Sequence, residues 1–217
     1  MNVVAPTRQL ARTLAWLAIA LLTACAQTDQ WADIERQARA GDAQAQLDLG
    51  LRYRYGNGIA QDLAQARQWL ELSAAQQLPA GQYHLGELHA RQRDPAALAK
   101  ARALFEAVHA SGSSMADDAL AELLATSASS TLEDGAYAVR LIEPALRDGH
   151  STDIEMFEVL AAAYARAGRF AEAIGAERHA VTDDDCRCKK KLLRAREARL
   201  AAYQRGETWS EALVSQP

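Results

Sequence analysis

The residues with the most chemical capacity in this 217-residue chain are two cysteines one residue apart, Cys186 and Cys188, and five histidines: His84, His89, His109, His150 and His179. A Cys-x-Cys pair can close a disulfide, hold a soft metal or exchange electrons. On a helix the two side chains would be rotated by about 200°, so a disulfide between them requires a non-helical turn over 183–188. A copper or zinc site needs further ligands, and His179 is the nearest one. The other histidines do not supply a dense set. No HExxH pair is present, and His84 and His89, five apart, fall on different helix faces and read as partly exposed structural residues. Ser111, Ser113 and Ser114 lie in a polar turn with no recognisable base beside them in sequence. There is no G-x-S-x-G elbow, no Walker loop and no dinucleotide fingerprint. Acidic residues are scattered over helix caps and solvent faces. The linear sequence therefore nominates no catalytic residue, no metal ligand and no cofactor, although groups can converge in space. The expectation is a non-catalytic protein in which Cys186 and Cys188 form at most a local disulfide.

Composition bounds the architecture that must hold these residues. The chain is 49% hydrophobic and 24% charged, enough to bury a core. Aromatics make up only 6%, and alanine is abundant, which favours closely packed helices over sheets. The formal net charge is −4. Taking Arg8 and Arg12 from the 24 basic residues leaves 22 against 28 acidic ones, a charge of −6 without residues 1–24. A mildly acidic chain is not built to bind nucleic acid. The Lys189-Lys190-Lys191 run is short and reads as a solvated helix start.

The N-terminus reads as an address. Arg8 and Arg12 precede an apolar run, Leu14 to Leu22, too short to span a bilayer comfortably. The run ends Leu22-Thr23-Ala24-Cys25, which resembles the lipobox of bacterial lipoproteins. That resemblance implies a diacylglyceryl thioether on Cys25, cleavage before it and acylation of the new amino group. Three chains anchor far more firmly than one. Ala26 rather than aspartate follows the cysteine, which implies an outer-membrane lipoprotein on the periplasmic face. Cys186 and Cys188 would then be the remaining thiols, in an oxidising compartment.

The chain is organised around residues 43–78. Leu47, Leu49, Leu51 and Tyr53 precede Gly56-Asn57-Gly58, a glycine stop. Gly50 marks a place where another helix can press close. Asp62 is set to cap a second helix, with Gln65 completing a capping-box spacing, and Ala66, Trp69 and Leu70 follow on a helical face. The order A-x-x-x-L-G-x-x-Y, G-x-G-I, D-x-x-x-A, W, A-A resembles a Sel-one-like repeat, a helical unit akin to the tetratricopeptide repeat. The resemblance implies an all-α, right-handed helical-hairpin solenoid. A second copy repeats Leu49-Gly50 as Leu85-Gly86, a period of 36, with Phe105 standing for Leu70 and Asp94-Pro95 starting its second helix. A third, weaker copy uses Leu120-Ala121 and Leu141-Ile142-Glu143. It has a Ser-rich connection over Thr126–Asp134, and Pro144 stands within its second helix as a kink or early stop. A fourth carries Thr152 and Glu155 as a capping box, then Leu160, Ala161, Tyr164, Gly168, Phe170 and Ala173. The domains read as a signal peptide (1–24), a lipidated tether and leading helix (25–41), a repeat domain (42–182), and a closing helix with an exposed tail (183–217).

In the related repeats, positions around the L-G-x-x-Y packing residues face the concave side. Carried over, they are Leu47, Leu51 and Arg54 in the first copy, Tyr83, Glu87 and Arg91 in the second, and Glu158 and Arg166 in the fourth. Both charge signs beside aliphatic and aromatic residues suit an amphipathic peptide, while Leu47 and Tyr83 could equally complete the core. The function this implies is a protein- or peptide-binding scaffold in the cell envelope. The alternatives are an envelope enzyme or metal or redox protein using Cys186 and Cys188, and a self-associating structural lipoprotein. Repeat relatives with one disulfide per repeat differ from this pattern, so no penicillin-binding or hydrolytic activity carries over.

Overall fold

The computed structural model describes residues 31–128, 130, 132–147, 154–182 and 190–209. Its regular elements are helices: α1 (31–39), α2 (Ala43–Tyr55), α3 (Leu63–Ala75), α4 (Pro79–Ala90), α5 (Pro95–Ala110), α6 (Asp117–Thr126), α7 (Leu132–Arg147), α8 (Ile154–Arg166), α9 (Phe170–Thr182) and α10 (Lys190–Gln204). A turn of 3-10 helix, Ser114–Ala116, precedes α6. The chain forms two compact units, one ending at Gly81 and one starting at Gln82, so the division falls within α4.

In the first unit, local chemistry fixes each helix end. Gly41 takes φ 101, a left-handed turn that stops α1. Asp42 then accepts the Ala45 N–H at 2.7 Å and starts α2. Gly56, at φ 73, ends α2 by donating its N–H to the Arg52 carbonyl at 2.8 Å. Asp62 accepts from Ala64 and Gln65 at 2.9 and 3.0 Å. The expected second half of that capping box is met differently: the Asp62 N–H goes to the Tyr53 carbonyl at 2.9 Å, tying the start of α3 to the end of α2. Gly50 is the seat of the hairpin. A Cβ there would sit 2.8 Å from Leu70 Cγ, and Leu70 is fully buried. At the other end Ser73 Oγ donates to the Ala43 carbonyl at 2.9 Å, and Gln76 Nε2 donates to Gln46 Oε1 at 2.8 Å.

The second unit repeats the device with a larger knob. A Cβ on Gly86 would meet Phe105 Cε1 at 2.5 Å, so the sequence equivalence of Leu70 and Phe105 is also a packing equivalence. Asp94 accepts from Ala97 at 2.9 Å with Pro95 at the first helical position. Phe105, Leu120, Leu124 and Ile142 are essentially buried in one apolar cluster, each contributing about 1.5–3 kcal/mol by burial. Ala121 and Ala161, the small residues of the third and fourth copies, are fully buried.

Three expectations are corrected here. The Ser-rich connection is shorter than read, because α7 starts at Leu132 and Asp134 lies inside it, buried and accepting from Arg102 Nη1 at 2.8 Å. Pro144 does not end α7 early; it sits exposed in the helix, which continues to Arg147. Trp209 is not an exposed tail residue but packs half-buried against the same cluster. In the fourth copy Glu155 is exposed in the first turn of α8, while Thr152 lies outside the described residues. The closing helix expected over Leu192–Tyr203 is α10; it packs on α9 and buries Ala202 and Tyr203.

Candidate functional site

The concave-face set separates once burial is known. In the first unit Leu47 and Arg54 are only 4% and 2% exposed. Leu47 is therefore a packing residue, and Arg54 lays its guanidinium 5.0 Å from the centre of the Tyr55 ring. Leu51 is half-buried. In the second unit Tyr83 is half-buried against the apolar cluster, its ring 6.0 Å from that of Phe105 and 5.0 Å from His84. Glu87 accepts from or pairs with His84 Nδ1 at 2.9 Å, and Arg91 is exposed. Glu158 and Arg166 turn inward. Arg166 donates to the Ala125 and Ser127 carbonyls at 3.3 and 3.2 Å, satisfying the C-terminal end of α6. Burial holds its pKa below the ordinary arginine value.

Two of these residues, Glu87 and Arg91, meet at a cleft of about 520 Å³ in the second unit. Its apolar wall is Leu98, Phe105 and Leu123; its charged edge adds Arg93 and Glu122. Leu98 and Phe105 are seven apart on α5, so one helical stripe supplies both. Arg93 stands where the first copy has its glycine turn and adopts a left-handed φ of 56 without being glycine. The cleft therefore offers apolar contact area between two acidic and two guanidinium groups. Such a lining can hold an apolar side chain and pair with charges of either sign around it.

A second concentration of charge lies between α8, α9 and α10. Glu158 pairs with Arg196 Nε and lies 2.5 Å from Arg199 Nη2. Arg199 Nε also donates to Glu177 Oε1 at 3.0 Å. Glu177 is fully buried, and its Oε2 has no hydrogen-bond partner among the described residues; the same holds for the hydroxyl of buried Tyr203. Burial is the main cause that pushes the Glu177 carboxyl up to about 7, with Glu158 adding to it and the arginines opposing. Burial also raises the Tyr203 phenol, and Glu177 raises it further. The sequence reading missed Glu177 and this role of the arginines. The legible signal was Arg196, Arg199 and Tyr203 at i, i+3 and i+7, which share one face of α10.

The chemistry-bearing residues of the sequence take structural roles where they are described. His109 Nδ1 pairs with Asp117 at 2.7 Å, and His179 stacks on Phe157 with ring centres 4.1 Å apart. His84 and His89 are half-buried, in line with the sequence reading. Ser111 Oγ donates to the Val108 carbonyl at 2.6 Å, and Ser113 accepts from Met115 N–H, so both finish helix ends. Among the described residues no group of three or more His, Cys, Asp or Glu could hold a metal ion. No helix among them is long and apolar enough to cross a membrane. Cys25, Cys186, Cys188 and His150 lie outside the described residues.

No protein-family model matches the chain. No curated protein matches it either. Among solved structures it is similar to a Sel1 repeat protein from Oxalobacter formigenes, with a TM-score of 0.51 and 20% sequence identity over 70% of this chain and 62% of that one. The chain thus spans about three fifths of the length of that protein. At this identity the likeness is one of fold. With the glycine-seated hairpins it places the chain in the all-α helical-repeat solenoid class with a Sel1-like repeat fold, as residues 43–78 indicated.

Proposed function

We propose that the protein is a lipid-anchored helical-repeat scaffold that binds a protein or peptide in the bacterial envelope. The cleft beside α4, α5 and α6 carries this reading: Leu98, Phe105 and Leu123 give it an apolar wall, and Glu87, Arg91, Arg93 and Glu122 give it a two-signed edge. A segment with an apolar side chain flanked by polar or charged ones satisfies both parts, and burial of an anchor in such a pocket is what concentrates binding energy. The anchoring half of the reading rests on Leu22-Thr23-Ala24-Cys25. It assigns Cys25 as the acylated residue and the periplasmic face of the outer membrane as the location. The role is non-catalytic, and no bound cofactor is required for it.

The two halves are tested together in envelopes. A photo-reactive residue at position 91, on the cleft edge, is expected to give a discrete adduct, and one at Ala107, exposed on α5 away from the cleft, is not. Equal labelling at both positions, or none at 91, removes the cleft from the proposal. Cys25→Ala is expected to leave the membrane pellet or persist as the longer precursor. Normal membrane retention of that variant, with an unmodified residue 25 in the mature wild type, would rule out the anchor.

A further inference from the structure

We propose that docking of the closing helix α10 onto α9 takes up a proton on Glu177, which makes the C-terminal cap of the second unit a pH-responsive latch. The geometry is that of a carboxyl group suited to its neutral form. Glu177 is fully buried beneath α10. Among the described residues only its Oε1 receives a hydrogen bond, from Arg199 Nε at 3.0 Å. Its Oε2 has no partner among the described residues, and the Tyr203 hydroxyl, also on α10, has none either. An ionised carboxylate with one bare buried oxygen carries a large desolvation cost. A proton placed on Oε2 removes the charge, and with it most of that cost.

The surrounding charges do not cancel this cost. Facing Glu177 are Glu158 from α8 and Arg196, Arg199 and Tyr203 from α10, and the Arg166 charge on α8 acts on Tyr203. Both arginines are already engaged by Glu158, so the two carboxylates share one pair of cations. Like charges on one site push one proton affinity up. When α10 lifts off, Glu177 meets water and returns to its ordinary value near 4.5; docked, it is held at about 7. A group whose folded-state pKa is raised contributes stability that is complete below the unfolded value and is lost as pH rises through the folded one. Docking is thus tightest below about pH 4.5 on this group's account, weakens through the interval to about 7, and levels off above it. The proton leaves Glu177 for solvent as the helix detaches, so charge and atoms balance without another reactant.

The experiment is hydrogen exchange of the α10 amides in the full chain, expressed as protection factors between pH 5 and pH 8.5, for the wild type and Glu177→Gln. The amide keeps the shape of the neutral carboxyl and does not titrate. In the wild type, opening of residues 190–204 is expected to become at least about tenfold more frequent across the range. In the variant it stays level, and at pH 8 α10 is at least as well protected as in the wild type. Carbon-13 glutamate labelling of the wild type gives a reading that survives even if the variant does not fold: one carboxyl should titrate near neutrality. Protection that is independent of pH in the wild type, a pH dependence retained in Glu177→Gln, or a Glu177 carboxyl that titrates below pH 5 would each overturn the latch.

Discussion

The α2–α3 hairpin and the α8–α9–α10 end of the chain solve the same problem with opposite chemistry. Each must bring helices within packing distance. At the first, Gly50 removes a side chain so that Leu70 can occupy its place, and the contact at that seat is apolar. At the second, two glutamates and two arginines fill the seam, with Glu177 fully buried. An apolar seam gains from every methylene it buries and is indifferent to pH. A charged one must repay desolvation through geometry, and any partner left over costs more than the pair gains. The contrast says that the glycine-seated hairpin is a permanent joint, while the closing end is one whose strength depends on conditions.

The largest effect expected from breaking this contrast is at Arg199. It pairs with both Glu158 and Glu177. Arg199→Met keeps an unbranched apolar stem but removes the guanidinium and leaves two carboxylates against Arg196. Losing one partner of a buried pair costs about 3–5 kcal/mol, and the full cost should appear at pH 8, where Glu177 is ionised. At pH 5 the loss should be smaller, because Glu177 is already neutral there. Urea titrations at the two pH values check the direction. A larger loss at pH 5 than at pH 8 would mean that the arginine mainly serves Glu158.

Next comes the glycine seat itself, and here the two repeats sharpen the comparison between them. Gly86→Ala sets a Cβ 2.5 Å from a ring carbon of Phe105, whereas Gly50→Ala sets one 2.8 Å from Leu70 Cγ. Both partners are buried, but the Phe105 ring is rigid and the overlap with it closer, while Leu70 has more rotamer freedom to shift. Gly86→Ala is expected to cost about 1–3 kcal/mol and Gly50→Ala less, by thermal or chemical unfolding. Gly86→Ala combined with Phe105→Leu should recover part of the loss. Absence of any recovery would indicate that the clash is with backbone elsewhere.

How much of this was legible follows from what kind of information each feature uses. The glycine seats were legible because a close approach leaves a mark at one position and a bulky partner at a fixed distance along the chain, Gly50 with Leu70 and Gly86 with Phe105. The caps were legible for the same local reason. The cleft was half legible. Glu87 and Arg91 were placed by the repeat pattern, but Leu98 and Leu123 reach it from α5 and α6 through packing that no local spacing states. Leu47 and Arg54 failed as surface residues because a concave-face position in a repeat is read relative to a neighbour, and burial is a property of the pair. Glu177 was invisible. A glutamate on a helix reads as solvent-facing, since ionised groups almost never occupy a core alone, and only the arrival of α10 from some twenty residues further along the chain buries it.

The smallest expected effects are at the helix starts, where the two copies differ in a way that tests whether local chemistry or burial sets the cost. Asp62 takes two N–H donors, Ala64 and Gln65, from an exposed position. Asp94 takes one, Ala97, and is followed by Pro95, which has no N–H to satisfy. Replacing a capping aspartate by alanine costs about 1 kcal/mol. If the number of satisfied donors governs, Asp62→Ala should lie at or above that value and Asp94→Ala below it, because proline holds the first turn in a helical φ even without the cap. If solvent shielding governs instead, the order reverses, since the Asp94 bond is partly buried and the Asp62 bonds compete with water. We expect the first order. The Asp62 backbone is additionally pinned to the Tyr53 carbonyl, so an alanine there keeps the turn in place and leaves two aligned N–H groups with water as their only substitute. Chemical denaturation of both variants, compared with the wild type at one common pH, decides between the two.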